Sequence, residues 1–269
     1  MKFFEKLQQR QAQSLLCVGL DPDFEQMPEG WPQNEAGVFD FCRRIVAATA
    51  DFAAAFKPQI AYFSAIGAEA ALVDIIGYIH AHHPEIPVIL DAKRGDIGAT
   101  AKQYAVEAFV RYEADAATVN PYLGADSLTP WLEYADNGIF VLCHTSNAGA
   151  SALQHLNANG KALFEHVAQM VLKANSNQQC GLVMGATFPE ELKKIREMAP
   201  SLPFLIPGVG AQGGDIQTVI QNAEKNVLIN SSRAILYASN NSKNFDTAAR
   251  KIAEETAQTI QKALNAISA

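Results

Sequence analysis

The chain has 269 residues, 49% of them hydrophobic and 18% charged, which is enough apolar material for a sizeable core and excludes wholesale disorder. A net charge of −7 argues against general binding to nucleic acid or to an anionic membrane surface. No apolar run approaches the roughly 18 residues of a membrane span.

The opening stretch, MKFFEKLQQRQAQ, is charged and has no long apolar segment, so no secretory signal is expected. Short apolar runs then alternate with helical patterns. Strands are expected at 15–20 (LLCVGL), 55–60 (AFKPQI), 87–91 (PVILD), 116–120 (AATVN), 138–143 (GIFVLC), 181–186 (GLVMGA), 204–208 (FLIPG) and 226–230 (NVLIN). Helices are expected near 36–54, 65–82, 97–112, 124–136, 160–175, 188–199, 214–224 and 244–266. Continuously apolar strands fit a parallel sheet covered by helices. Eight strand–helix units without a Pro/Gly-rich linker predict one domain over 1–269, an α/β fold of the (β/α)8 TIM-barrel type. A doubly wound open sheet is the alternative. Cys17, Cys42, Cys143 and Cys180 are far apart with no Cys-x-x-Cys, as expected for reduced thiols in a cytoplasmic protein.

In a barrel, the C-terminal strand ends meet at one mouth. Those ends read Asp21, Lys57-Pro58, Asp91-Ala92-Lys93, Asn120-Pro121, His144-Thr145-Ser146, Ala186-Thr187, Pro207-Gly208-Val209-Gly210 and Ser231-Ser232-Arg233. Residues two apart on a strand share a face, so Asp91 and Lys93 are expected to point the same way. Lys57, Asp91, Lys93 and Asp96 are expected to converge as two cations and two anions that partly compensate one another's desolvation. Arg94 is read as a solvated or subunit-contact residue. The segment PGVGAQGGD (207–215) contains Gly-x-Gly-x-x-Gly, but no acid follows the next strand to hold a ribose. A glycine-rich turn still presents N–H groups to an anion, and Arg233 supplies a bidentate cation beside it. This predicts a phosphate site.

With LDAKRGDIGATA (90–101) on strand three and PGVGAQGG after strand seven, the sequence resembles the orotidine 5′-phosphate decarboxylase family, from VGLDPD (18–23) to SSRAILYAS (231–239). The stretch after strand one resembles the family's longer subgroup. The resemblance implies decarboxylation of orotidine 5′-phosphate to UMP in pyrimidine biosynthesis, by a cytoplasmic homodimer without metal or organic cofactor. It implies a catalytic network of Lys57, Asp91, Lys93 and Asp96. It places Asp96, Ile97 and Thr100 in the neighbouring subunit's pocket. Asp21, Lys57, Asp96 and Thr100 would hold ribose hydroxyls, and Ser146 would meet the pyrimidine. Pro207, Gln212, Gly213 and Arg233 would form the phosphate site, with 207–214 closing as a lid.

Two other classes fit parts of the pattern. A metal-dependent sugar-phosphate lyase shares Asp-x-Lys-x-x-Asp, but metal ligands are not evident: HAHHPE (80–85) reads as a polar helix end, and His144 is the one histidine beside the mouth. A silent phosphate-binding protein would keep the glycine loop with a degraded charge cluster. Here the cluster is intact.

Overall fold

The structure, a computed structural model, describes residues 1–209 and 214–268. Eight parallel strands form one sheet: β1 (Leu16–Leu20), β2 (Ala53–Pro58), β3 (Ile89–Arg94), β4 (Ala116–Val119), β5 (Gly138–His144), β6 (Cys180–Met184), β7 (Phe204–Ile206) and β8 (Val227–Ser231). Neighbours pair in sequence order from β3 through β8, and β8 pairs with β1, and β1 with β2. Isolated bridges Phe56↔Val88 and Gln59↔Asp91 join β2 to β3. The sheet therefore closes, and the barrel is confirmed over the open sheet. Among the described residues, no helix is long and apolar enough to cross a membrane.

Two cores follow from strand alternation. One face of each strand packs under the surrounding helices, as with Val18, Phe56, Leu90, Val141 and Ile229. The other face points inward: Cys17, Ala55, Ile89, Ala116, Phe140, Val183, Leu205 and Leu228 fill the barrel. Phe3 and Leu7 join this inner cluster from a helix at Phe3–Gln11. The sequence reading assigned no element there, because a polar face dominates the segment. Phe3 and Leu7 plug the barrel floor, each contributing about 1.5–3 kcal/mol on burial.

Expected helices are observed with shifted ends, and two differ in kind. The helix expected at 65–82 starts later, at Glu69–His82, and a separate short helix, Ile60–Ala65, precedes it across Gly67. The 124–136 pattern condenses to a 3₁₀ turn (Ala125–Leu128) and a single helical turn (Thr129–Leu132). A two-residue hairpin (Asn157–Ala158 with Lys161–Ala162) interrupts the loop after β5. The four cysteines are free and buried, and burial raises each thiol's pKa, to about 12 for Cys17 and Cys180.

Candidate active site

The inner face changes character along the barrel axis. Above the apolar layer, the same alternation brings in Lys57 two residues after Ala55, Asp91 after Ile89, and Thr118 after Ala116. Lys57 and Asp91 are 4% and 7% exposed. Lys57 Nζ donates to Asp91 Oδ2 at 2.8 Å, and Lys93 Nζ donates to Asp91 Oδ1 at 2.5 Å. Thr118 Oγ1 donates to Asp91 Oδ1 at 2.9 Å. Asp91 thus receives three donors. Burial favours its neutral form, but the two ammonium groups overcome that and hold its pKa well below the carboxylate range. Burial likewise disfavours charge on Lys57, yet Asp91 and, behind it, Asp21 raise its pKa above the lysine value.

Lys93 reaches this position by a route alternation does not describe. Its φ is 48°, in the left-handed region that side chains rarely adopt. The β3–β4 register shifts between Leu90 and Arg94. Thr118 Oγ1 accepts from the backbone N–H groups of Ala92 and Lys93, at 3.0 and 2.9 Å. One threonine hydroxyl therefore pins the distorted strand end and bonds the central carboxylate. Strain of this kind collects at functional sites. The lysine remains 44% exposed at its side chain while Asp91 holds its tip, so its ammonium faces the mouth. Thr118 was missed in the sequence, although its parity with Ala116 marks it as inward.

Asp96 does not join the three. Its Oδ1 accepts the Ile97 N–H, and it forms no ion pair among the described residues. Within one chain three of the four charges converge, and Asp96 stands apart from them. Asp96 is half-buried, whereas Ile97 and Thr100 are exposed on the turn and helix that leave β3. Arg94 is partly exposed, and its guanidinium forms two hydrogen bonds to Glu107, at 3.0 and 3.1 Å, and lies over Tyr104.

Asp21, at the end of β1, accepts a short hydrogen bond from Ser232, and Tyr237 Oη donates to its carbonyl. Asp21 Oδ1 is buried with no hydrogen-bond partner among the described residues, and Asn230 Oδ1, inward-facing on β8, shares that condition. Buried acceptors in this state are ready for a ligand's hydroxyls or amides. Ser146 is half-buried after β5. Thr145, beside it, exchanges two hydrogen bonds with Gln154, at 2.8 and 2.9 Å. Gly185 is needed at this point, because a Cβ there would stand 2.7 Å from the Ser146 backbone nitrogen.

Pro207 follows β7, and its carbonyl accepts the Ala186 N–H at 3.0 Å. Gly208 has φ +95°, and its carbonyl accepts the Gly214 N–H at 3.2 Å, closing the neck of the glycine loop. Gln212 and Gly213 lie outside the described residues. Arg233 is exposed directly after β8, with no ion-pair partner among the described residues.

The sequence profile of the orotidine 5′-phosphate decarboxylase / HUMPS family matches residues 14–248. The chain belongs to this family. Orotidine 5′-phosphate decarboxylase of Janthinobacterium sp. (strain Marseille) is 52% identical over 97% of this chain and 99% of its own. The enzyme of that name from Cupriavidus metallidurans is 51% identical over 97% and 98%. Among solved structures, Leishmania donovani OMP decarboxylase superposes with a TM-score of 0.87 at 39% identity, covering 98% of this chain and 99% of that one. Leishmania donovani UMP synthase gives 0.85 at 42%, covering 97% of this chain and 56% of that longer one. The family's enzymes of this name are carboxy-lyases.

His144 is a buried, hydrogen-bonded residue, but it is not the one histidine beside the mouth. His155 packs against it, with Nε2 atoms 2.8 Å apart, and Glu191 Oε1 lies 3.5 Å from His155 Nε2. Burial pushes the His144 imidazole down to about 4, opposed by Glu191 and aided by His155, so the ring is neutral at pH 7. The HAHHPE segment does end a helix, with His80 bonded to Asp115 and His82 to the Tyr78 carbonyl.

Proposed function

We propose that the chain converts orotidine 5′-phosphate to UMP and carbon dioxide, in pyrimidine nucleotide biosynthesis in the cytoplasm, without a metal or organic cofactor. The bond from the pyrimidine C6 to its carboxylate breaks, and the electron pair stays on C6. Lys93 stabilises that pair with its ammonium and then donates a proton to it. The observation that carries this reading is the half-exposed Lys93 ammonium held by a carboxylate that is itself clamped by Lys57 and Thr118. Such an arrangement presents a fixed positive charge to a developing anion without reorganisation at the moment of reaction.

Asp91 receives three donors, which supports a positioning role for it. Asp21 and Lys57 are assigned to the ribose hydroxyls, with Asp96, Ile97 and Thr100 completing the pocket from the other subunit of a homodimer. Ser146 is assigned to the pyrimidine, and Pro207, Gln212, Gly213 and Arg233 to phosphate. The exposure of Ile97, at 54%, supports its use between subunits.

The test is the ultraviolet absorbance of orotidine 5′-phosphate over time with purified protein and excess chelator. Steady loss of substrate absorbance is expected. No loss with or without chelator would remove the reading, and loss abolished by chelator would favour a metal-dependent lyase.

Arg233→Ala is expected to weaken the phosphorylated substrate far more than its dephosphorylated nucleoside. Losing a charge-assisted contact costs about 1.5–3 kcal/mol, or roughly a tenfold to 150-fold rise in KM. Equal losses for the two substrates would place Arg233 away from phosphate.

A further inference from the structure

A second cluster lies beside the barrel mouth, apart from the lysine–aspartate network. His144 ends β5, His155 follows the short helix Ala150–Gln154 in the next loop, and Glu191 lies in the first turn of the helix Pro189–Met198 after β6. One ligand atom from each falls within 4.8 Å of the others. His144 is fully buried, its ring packed edge-on to Phe164 and Phe188 at 5.1 and 4.5 Å. His155 and Glu191 side chains are 35% and 21% exposed, so the cluster opens to solvent on one side.

The three converging atoms are poorly satisfied by protons alone. A neutral imidazole nitrogen is either donor or acceptor, and a carboxylate only accepts. One proton shared between the two Nε2 atoms makes the 2.8 Å contact. A cation centred among the three would engage a lone pair from each.

We propose that His144, His155 and Glu191 form a three-ligand site for a divalent transition-metal cation, with water in the fourth position. Two imidazoles and one carboxylate form an established zinc donor set. Tetrahedral ligands about 2.0–2.2 Å from zinc stand roughly 3.3 Å apart, so the two imidazoles separate by about half an ångström on binding. His155 makes that movement, because His144 is locked by its aromatic neighbours. The ion ties the loop after β5, which carries Ser146, to the helix after β6. It touches none of Lys57, Asp91 or Lys93 and takes no part in the proposed chemistry. Among the described residues, His144 Nδ1 is buried without a hydrogen-bond partner. The site therefore lacks the outer acceptor that orients a ligating histidine, which lowers affinity about 10–100-fold. Binding in the micromolar rather than nanomolar range is expected.

The experiment titrates zinc ion into chelator-stripped, full-length protein by calorimetry and follows Tm in parallel. One zinc per chain is expected, with a rise in Tm of roughly 5 °C at a hundredfold excess over Kd. His155→Ala should abolish both, and Glu191→Gln should weaken binding at least tenfold. His82→Ala/His83→Ala, which removes two histidines at the end of a distant helix, should leave both unchanged. Should His155→Ala fail to fold, the near-isosteric Glu191→Gln carries the test. Absence of stoichiometric binding, or binding lost with His82 and His83 but kept without Glu191, would overturn the proposal.

Discussion

Lys93→Ala is expected to lose about a thousandfold or more in turnover while a substrate analogue still binds. A unit charge about 4 Å from a developing anion is worth roughly 4 kcal/mol at an effective dielectric near 20, and that is about a thousandfold in rate. Lys57 is not placed to substitute, because it is 4% exposed and committed to the far oxygen of Asp91. The variant should still fold, since Asp91 keeps Lys57 and Thr118. Alanine at φ 48° neither relieves nor adds to the backbone strain in any large measure, so the loss reports on the ammonium. Single-turnover rates and analogue titration check the result. Retention of more than roughly a tenth of the activity, a loss of only about 1.4 kcal/mol, would show that another group carries the charge.

One lysine does not account for the whole of a large rate enhancement. Remote binding energy must contribute, and the phosphate and ribose contacts are suited to supply it by fixing the ring over Lys93. The modest effect expected for Arg233→Ala on the nucleoside, against its large effect on the nucleotide, belongs to the same argument.

The second large effect is recovery of activity from two dead proteins. Lys93→Ala and Asp96→Ala are each expected to be inactive. Mixed under conditions that permit subunit exchange, they should regain about a quarter of the wild-type sites. The reason lies in where Asp96 sits: it leaves the chain's own charge cluster unjoined and stands beside exposed Ile97. If it completes the neighbour's pocket, a hybrid dimer contains one site with both residues intact and one with both lesions. Statistical pairing makes about half the dimers hybrid, so about a quarter of all sites recover, given independent sites and no pairing bias. Exchange is verified by native mass. Exchange without recovered activity would mean that Asp96 serves its own subunit.

Much of this molecule was legible along the chain because it depends on local pattern. The eight apolar runs had the right number, order and spacing for the barrel, and parity alone turns Lys57 and Asp91 inward above Ala55 and Ile89. The polar strand ends then had to share one mouth. What local pattern could not supply was any arrangement set by partners distant in sequence. The helix Phe3–Gln11 reads as polar, and becomes a plug only because a closed barrel offers its floor to Phe3 and Leu7. Lys93 meets Asp91 through a left-handed residue stabilised by Thr118, a hydroxyl 25 positions away. Asp96 stands apart because it lies past the end of β3, between Arg94 and the helix that begins at Gly98, where its carboxylate accepts the Ile97 N–H. His144, His155 and Glu191 come from a strand end, a loop and a helix, and no spacing in the sequence marks them as a set. Sequence determines which residues share a strand face, since that follows from backbone geometry over a few residues. Only the closed tertiary structure decides which of those faces, loops and helix ends converge, because convergence depends on how the whole barrel packs.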